Sequence, residues 1–406
     1  MTTATPMRSA KRKEILVVGG GYVGMYAALR LQRRLRPGEA SITVVDPMSY
    51  MTYQPFLPEA AAGSLEPRHV VVPLRRVLPK CRVITGRVTR IDHARRCAVV
   101  EPVEGDSWEH RYDVIIVAGG SIARLLPIPG LAERGIGFTT VAEAIYLRNT
   151  VIERLDAAAS SQDPALRRRA LTFVFIGGGY SGVEAIAELE DMARDALRYY
   201  DGVEASDLRF VLIEATGRIL PEVSASMGRY TVDRLVERGI DVRLQTRVTS
   251  LADGMVVLDD GTSFEAETVV WTAGDIAAVP DLSKDPGAFT GPSAQHAVRQ
   301  AKKLADNVVA SLRGEPITEY RHAYAGSVAS LGLHKGVADV YGVKLKGWPA
   351  WFMHRSYHLS RVPTTNRKVR VVFDWTLALF FKREIVSLGQ FANPRAAFAA
   401  AARPAP

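Results

Sequence analysis

The most informative scarcity in this sequence is that of cysteine. Among 406 residues only Cys81 and Cys97 are cysteines, and they do not form a C-x-x-C motif. Enzymes that pass electrons through a reactive cysteine pair are therefore excluded. We expect no structural disulfide between the two, because the rest of the chain is typical of an intracellular protein.

Long apolar runs are also missing. No window approaches the roughly 18 consecutive apolar residues that a membrane-spanning helix needs. Residues 1–13 are polar and basic without an apolar segment behind them, so we expect no signal peptide and a protein that stays where it is made. The hydrophobic fraction of 47% and the charged fraction of 23% are those of a folded globular protein. The length favours two domains.

A glycine-rich motif follows the first predicted strand, Glu14–Val18. The motif is Gly19-Gly20-Gly21-Tyr22-Val23-Gly24, and a helix pattern continues from it through Arg34. The next strand pattern, Ser41–Val45, ends on Asp46. This is the βαβ setting in which G-x-G-x-x-G binds a dinucleotide.

Each position of this motif has a physical role. Gly19 permits the tight turn, Gly21 lets the backbone approach a pyrophosphate, and Gly24 lets the helix pack close to the strand. The helix N-terminus, at Tyr22, faces the phosphates, and Asp46 reaches the ribose hydroxyls. The segment therefore predicts a first dinucleotide site.

The same unit recurs later in the chain. A strand pattern at Leu171–Ile176 leads into Gly177-Gly178-Gly179-Tyr180-Ser181-Gly182 and a helix through about Tyr199. The following strand, Leu208–Ile213, ends on Glu214, and an acidic residue there favours NAD(H) over NADP(H). Arg218 lies close enough to weaken that preference.

Further strands are predicted between and after the two motifs. Tyr112–Gly120 is a buried strand ending in small residues, and three short strands follow at Val242–Gln245, Met255–Leu258 and Thr268–Trp271. Asp259-Asp260-Gly261 is typical of a hairpin turn.

Together these motifs resemble those of the type II NADH dehydrogenases, single-chain FAD enzymes that pass electrons from NADH to membrane quinone. Besides the two glycine motifs, the resemblance rests on Tyr53-Gln54-Pro55-Phe56-Leu57-Pro58-Glu59 with Ala60–Gly63, on Ala294-Gln295-His296-Ala297, and on the basic aromatic C-terminus. It covers nearly the whole chain. Disulfide reductases and sulfide:quinone oxidoreductases are less similar, because they need a reactive cysteine pair near the flavin.

The resemblance implies roles for individual residues. The first motif with Asp46 would hold FAD, the second with Glu214 would hold NADH, and Gln54 and Pro55 would lie against the isoalloxazine. Glu184 resembles a glutamate that handles protons or quinone, although a carboxylate in the first turn of a helix is commonly explained by the helix dipole. Gln295 and His296 resemble residues at the quinone side of the flavin. A lone histidine at a helix start is more often a surface or capping residue.

The complete set of implied cofactor-binding residues is Gly19, Gly21, Tyr22, Val23, Gly24, Asp46, Gln54, Pro55, Ala118, Gly119, Gly177, Gly179, Tyr180, Ser181, Gly182, Glu214 and Asp275, and no metal site is implied.

One departure from the family concerns Gly274-Asp275. In the family, a WTAG-like strand ends the NADH domain, and a separate AAGD-like strand later brings an aspartate to the ribityl chain of the flavin. Here Trp271-Thr272-Ala273-Gly274 runs directly into Asp275. A segment of roughly 25–30 residues is therefore missing, judged by the usual length of such a crossover and strand. One strand must serve where the family has two, in the NADH domain or in the FAD domain.

The C-terminal region combines aromatic and basic residues. The aromatic residues are Trp348, Trp351, Phe352, Tyr357, Trp375, Phe380 and Phe381, and the basic residues are Arg355, Arg361, Arg367, Lys368, Arg370, Lys382 and Arg383. Val371–Phe381 is apolar except for Asp374 and Thr376 and is too short to span a bilayer. The pattern predicts a helix lying in the membrane interface, with packing on the domain or a dimer contact as the alternative.

The net charge of +9 agrees with an anionic lipid surface as partner. Nucleic acid is not expected, because no recognition fold accompanies the charge.

We therefore expect an α/β fold with two Rossmann-like dinucleotide-binding domains, like that of the pyridine nucleotide-disulfide reductases, plus a C-terminal membrane-associating helical segment. The expected divisions are an FAD domain at 1–140 and 275–345, an NADH domain at 141–274, the membrane segment at 346–390, and a flexible tail at 391–406. The expected function is non-proton-pumping NADH:quinone oxidoreduction on the cytoplasmic face of the cell membrane. The open alternatives are an inactive, flavin-deficient paralogue and an NADH oxidase or diaphorase with another acceptor. The sequence leaves open which quinone is used, whether NADH is strictly preferred to NADPH, and whether the chain forms a homodimer.

Overall fold

The computed structural model describes residues 12–120, 125–272, 293–321, 326–381, 383 and 385–388. The expected tail at 391–406 and Asp275 lie outside the described residues. Both cysteines are free, Cys81 half-buried and Cys97 buried.

The helices of the described residues are α1 (Tyr22–Arg34), α2 (Leu57–Ala61), α3 (Leu74–Val77), α4 (Leu131–Arg134), α5 (Val141–Ser160), α6 (Pro164–Ala170), α7 (Tyr180–Ala196), α8 (Ala225–Glu237), α9 (Ala294–Leu312), α10 (Trp348–Arg361) and α11 (Thr365–Phe380). Short 3₁₀ turns lie at Gln54–Phe56, Pro67–Val70, Leu197–Tyr199 and Ala252–Gly254.

The strands of the described residues are β1 (Lys13–Val18), β2 (Ala40–Asp46), β3 (Tyr50–Thr52), β4 (Val71–Pro73), β5 (Arg82–Asp92), β6 (Cys97–Pro102), β7 (Trp108–Arg111), β8 (Val114–Val117), β9 (Gly135–Gly137), β10 (Thr172–Ile176), β11 (Arg209–Ile213), β12 (Asp241–Arg243), β13 (Val248–Ser250), β14 (Met255–Leu258), β15 (Ser263–Glu265), β16 (Thr268–Trp271), β17 (Gly326–Ser330), β18 (Gly336–Val340) and β19 (Val343–Lys346).

The chain divides into two compact units. Within the described residues, the first unit contains 12–52, 71–120 and 293–321, and the second contains 53–70, 125–272, 326–381, 383 and 385–388.

The first unit is built on a sheet in the order β7-β6-β5-β2-β1-β8. Strands β5, β2, β1 and β8 run parallel, whereas β6 and β7 extend the sheet as antiparallel strands from the far half of β5. Helix α9 packs on α1, and Arg30 of α1 is 3.0 Å from Asp306 of α9. A helix from late in the chain thus completes the unit that the first motif begins.

The second unit contains a parallel sheet in the order β12-β11-β10-β16-β9. Every residue of β10 is buried, which agrees with the continuous apolar run predicted there. Strand β16 lies between β10 and β9, so Trp271 belongs to this second sheet. Within the described residues, the first sheet ends at β8. The single WTAG strand therefore completes the second motif's sheet.

Two smaller antiparallel sheets belong to the second unit. Strands β14 and β15 form the hairpin predicted at residues 259–261, with β13 beside them. Strands β17, β18 and β19 form the other sheet, and α10 packs on it with its buried residues Ala350, Trp351, His354 and Arg355.

The expected α/β fold with two Rossmann-like sheets is confirmed. The predicted helix through about Tyr199 ends at Ala196 and continues as a 3₁₀ turn. The sequence patterns did not predict the antiparallel extension β6–β7 or the C-terminal sheet. None of the described helices is long and apolar enough to cross a membrane.

Candidate dinucleotide sites and a buried acidic cluster

The first glycine-rich loop joins β1 to α1 with no room for side chains at two positions. Gly19 has a φ of +99°, which favours glycine, and its N–H donates to the carbonyl of Val45 over 2.8 Å. A Cβ atom on Gly19 would collide with the carbonyl of Ala118, and one on Gly24 would collide with the carbonyl of Gly19. Helix α1 therefore sits directly on the loop.

Gly21, in contrast, faces open space. A Cβ atom there would meet no atom within 4 Å. Helix α1 has no acidic residue in its first turn and no side-chain cap, so the first-turn residues Tyr22 and Val23 offer a helix N-terminus without a competing carboxylate. Partial positive charge and open backbone together suit a pyrophosphate, which is what FAD would present here.

Asp46 holds the same loop from the end of β2. Its Oδ2 accepts a hydrogen bond from the N–H of Gly20 at 2.6 Å, and its Oδ1 accepts one from the N–H of Met48 at 2.6 Å. A carboxylate has about four acceptor positions, so these bonds fix its direction and leave capacity for ribose hydroxyls. Ala118 and Gly119 follow β8 beside this loop, and Gly119 is exposed.

The second loop repeats this geometry in the second unit. Gly177 has a φ of +116°, and its N–H donates to the carbonyl of Ile213 over 2.9 Å. A Cβ atom on Gly182 would collide with the carbonyl of Gly177, whereas Gly179 faces open space. The first-turn residues Tyr180 and Ser181 are not acidic, so this helix N-terminus also suits a pyrophosphate.

Glu214 takes the position that Asp46 has in the first loop. Its Oε2 accepts from the N–H of Gly178 at 2.6 Å, and its Oε1 accepts from the N–H of Thr216 at 2.7 Å. The guanidinium of Arg218 instead donates to the carbonyls of Pro221 and Val223, at 3.2 and 2.5 Å. Arg218 is thus engaged by its own loop, which favours a ribose without a 2′-phosphate.

Gln54 and Pro55 lie in a 3₁₀ turn of the second unit. Gln54 is exposed, and its Nε2 donates to the carbonyl of Thr139 over 3.2 Å. This bond ties the YQPFLPE segment to the residues just before α5.

Glu184 is buried, and it lies beyond the first turn of α7, which contains no acidic residue. The helix-dipole explanation therefore does not account for its position. Its Oε1 accepts a hydrogen bond from the N–H of Ser330 at 2.9 Å and lies 3.1 Å from Nε2 of His354. Two distant parts of the chain thus meet at this carboxylate.

A second buried carboxylate, Glu188, lies one turn further along α7. The hydroxyl of Ser330 donates to its Oε1 over 3.0 Å, and the guanidinium of Arg383 lies 3.3 Å from its Oε2. Burial raises the pKa of Glu188, while the charge of Arg383 opposes that rise. Ser330 therefore bridges two carboxylates on one face of α7.

Glu59, at the end of the YQPFLPE segment, binds both C-terminal helices. Its Oε2 accepts from Arg355 of α10 at 2.9 Å and from the indole N–H of Trp375 of α11 at 2.7 Å. No sequence pattern predicts a role for Glu59. The helical spacing of His354, Arg355 and His358 was the available signal that α10 presents a polar face inward.

Asp374 explains the one charged position in the apolar run of α11. It lies 2.6 Å from Nδ1 of His69 and accepts a hydrogen bond from the N–H of Glu66 at 3.2 Å. Together with Trp375, it fixes one face of α11 to residues 59–70 of the same unit.

Gln295 and His296 lie in the first turn of α9, in the first unit. Gln295 is half-buried, and His296 is buried, with its Nδ1 2.9 Å from the hydroxyl of Tyr320. The side chain of Ser293 caps the helix by accepting from the N–H of His296. His296 is therefore neither a surface residue nor the capping residue.

Known protein families and relatives match this chain over most of its length. The sequence pattern of the family described as Pyridine nucleotide-disulphide oxidoreductase matches residues 13–300, and that of the NDH2 C-terminal domain matches residues 324–384. The chain is 28% identical over 426 residues to the type II NADH:quinone oxidoreductase Ndh of Mycobacterium tuberculosis, covering 94% of this chain and 90% of that protein. It is 28% identical over 384 residues to the type II NADH:quinone oxidoreductase of Staphylococcus aureus strain NCTC 8325, covering 85% of this chain and 94% of that protein.

Solved structures share the fold. NDH2 from Plasmodium falciparum in complex with NADH superposes with a TM-score of 0.84 at 14% identity, covering 92% of this chain and all of that one (100%). The sulfide:quinone oxidoreductase of Aquifex aeolicus gives 0.66 at 18% identity, covering 92% and 96%. The resemblance to type II NADH dehydrogenases is confirmed by the two matched family patterns and by the relatives from Mycobacterium tuberculosis and Staphylococcus aureus. Because that family's pattern matches residues 13–300, which is more than half of the sequence, the chain belongs to the pyridine nucleotide-disulphide oxidoreductase family.

Proposed function

We propose that this chain is an FAD-dependent NADH:quinone oxidoreductase that does not pump protons. The observation that carries the proposal is the pair of equivalent loops, each with an open glycine at a helix N-terminus and a carboxylate at the end of the next strand. The relatives named type II NADH:quinone oxidoreductase, which this chain covers almost completely, support the choice of substrates.

The protein's contribution is binding and orientation. Bound FAD would accept a hydride from NADH and pass two electrons to a quinone. Gly21 and the α1 N-terminus would hold the FAD pyrophosphate, with Asp46 on the ribose. Gly179 and the α7 N-terminus would hold that of NADH, with Glu214 on the ribose.

Further assignments rest on the family resemblance. Gln54 and Pro55 are proposed to contact the isoalloxazine, and Gln295 and His296 to lie on the quinone side. Asp275 is proposed to bind the ribityl chain and lies outside the described residues. Glu184 is proposed to supply a proton, because converting a quinone to a quinol needs two protons and the hydride brings only one.

An absorption spectrum of the purified full-length protein tests the function directly. A yellow protein that NADH bleaches and a short-chain quinone restores is the expected result. A protein that stays colourless after incubation with FAD would contradict the proposal and favour an inactive paralogue. Bleaching that oxygen restores but quinone does not would favour an NADH oxidase instead.

We also place the exposed apolar face of α10 and α11 on an anionic membrane surface. Phe373 and Phe380 of α11 are 62% and 77% exposed, and Trp348 of α10 is 55% exposed. Arg367, Lys368 and Arg370 on α11 are suited to lipid phosphates. The cytoplasmic leaflet is the proposed location, since anionic lipid is concentrated there.

Point substitutions test this surface better than truncation, because α10 covers the C-terminal sheet. Burying one phenylalanine in the interface contributes about 2 kcal/mol, so Phe373→Glu with Phe380→Glu should reduce liposome binding at least tenfold. The control is Val103→Glu, at a residue that is 70% exposed in the first unit. Equal binding of both variants to phosphatidylserine-containing vesicles would contradict the assignment.

A further inference from the structure

His354 is buried without hydrogen-bond partners. This residue of α10 is 1% exposed, and neither ring nitrogen forms a hydrogen bond among the described residues. Its Nε2 lies 3.1 Å from Oε1 of Glu184, without hydrogen-bond alignment in the present geometry. Native proteins seldom leave buried polar groups in this condition, and a role in catalysis is one of the explanations for such a group.

The buried carboxylates of Glu59 and Glu188 already have cationic partners. Glu59 is paired with Arg355, and Glu188 is paired with Arg383. Among the described residues, His354 is the only ion-pair partner of Glu184. A buried carboxylate is stable when a cation neutralises it or when it holds a proton itself. One proton placed on either Glu184 or His354 satisfies that condition.

The neighbouring histidine does not compete for this proton. The ring of His358 lies 4.5 Å from that of His354, centroid to centroid, and its Nδ1 is 3.3 Å from the hydroxyl of Tyr53. Burial, aided by His354 and Arg361, holds the pKa of His358 well below its ordinary value. His358 is therefore neutral near pH 7, and the exchangeable proton stays between His354 and Glu184.

We propose that His354 is a positioning residue that shares one proton with Glu184 and keeps that carboxyl group ready to protonate the quinone. This inference rests on the proposed function. In the balanced reaction, NADH, one proton and quinone give NAD⁺ and quinol; NADH supplies two electrons and one proton as hydride. The second proton comes from the pair, which then takes one from water.

The shared proton is tested without measuring turnover. The full-length, FAD-loaded protein is labelled at its histidines, and the NMR signal of His354 is identified by its loss in His354→Gln. A proton held between the two groups should give a downfield signal that couples to a ring nitrogen of His354, and Glu184→Gln should abolish that signal. The absence of that signal from the wild-type protein, or its persistence in Glu184→Gln, would overturn the inference.

Its role in the reaction is tested with two electron acceptors. Ferricyanide takes electrons without protons, whereas a short-chain quinone needs both. His354→Gln should lower kcat with quinone by about tenfold, with an altered pH profile, and leave kcat with ferricyanide unchanged. Equal losses with both acceptors would show a purely structural role and overturn the inference.

A matched control is available in the first unit. His110 lies 3.2 Å from Glu14, a similar histidine–glutamate distance, and His110→Gln should leave both activities unchanged. If the wild-type protein reduces ferricyanide but no quinone, the proposed function fails. The NMR measurement then still decides whether Glu184 and His354 share a proton.

Discussion

Replacing Arg355 with methionine should destabilise the second unit strongly. The side chains of Glu59 and Arg355 are 2% and 9% exposed, so the substitution leaves a buried carboxylate without its cation. Removing one partner of such a pair costs about 3–5 kcal/mol. The guanidinium also lies 4.1 Å from the ring centroid of Trp351 and 4.7 Å from that of Trp375, so its loss removes two cation–π contacts.

Chemical denaturation followed by tryptophan fluorescence measures this effect, since Trp351 and Trp375 border the pair. The control is Arg95→Met, which breaks a pair with Glu109 whose side chains are 58% and 42% exposed and should cost less than about 1 kcal/mol. The double variant Glu59→Gln with Arg355→Met should recover much of the loss, because it leaves neither charge of the Glu59–Arg355 pair buried. A cost of Arg355→Met no larger than that of Arg95→Met, or a double variant no more stable than Arg355→Met, would show that the buried Glu59–Arg355 pair does not stabilise the unit.

Other predictions follow from single contacts. Folding lowers the pKa of His358, so the unfolded state binds a proton at this residue more readily than the folded state as the pH falls below about 6.5. The free energy of unfolding should therefore drop by about 1.4 kcal/mol between pH 7.5 and 5.5. Denaturation curves of His358→Gln should lack this part of the loss. Gly24→Val forces a side chain against the carbonyl of Gly19 and should weaken FAD binding about tenfold or more, measured by flavin absorbance; normal flavin content would contradict this. Gly182→Val forces a side chain against the carbonyl of Gly177, so it should leave the FAD content intact and raise the KM for NADH. An unchanged KM would contradict this prediction. Glu214→Gln should reduce the preference for NADH over NADPH in the ratio of kcat/KM; a constant ratio would rule out its ribose role.

The two dinucleotide loops were predictable from sequence because their geometry is local. A glycine with positive φ, a helix beginning three residues later, and an acidic residue at the end of the next strand all lie within about forty residues of each other. Gly19 and Gly177 accordingly show the same turn, and Asp46 and Glu214 the same bonds to their loops. The aromatic and basic composition of the C-terminus likewise indicated a helical segment, which α10 and α11 form.

Tertiary structure alone decided which sheet receives the WTAG strand and what surrounds Glu184. Strand β16 could have joined either Rossmann-like sheet by pattern, and its pairing with β10 and β9 settles the choice. The buried contacts pair residue 184 with 330 and 354, residue 188 with 330 and 383, and residue 59 with 355, and no local signal connects these positions. Hydrophobic periodicity tells which face of a helix is buried but not which residues it meets, so buried charge pairs become visible only when the chain is folded.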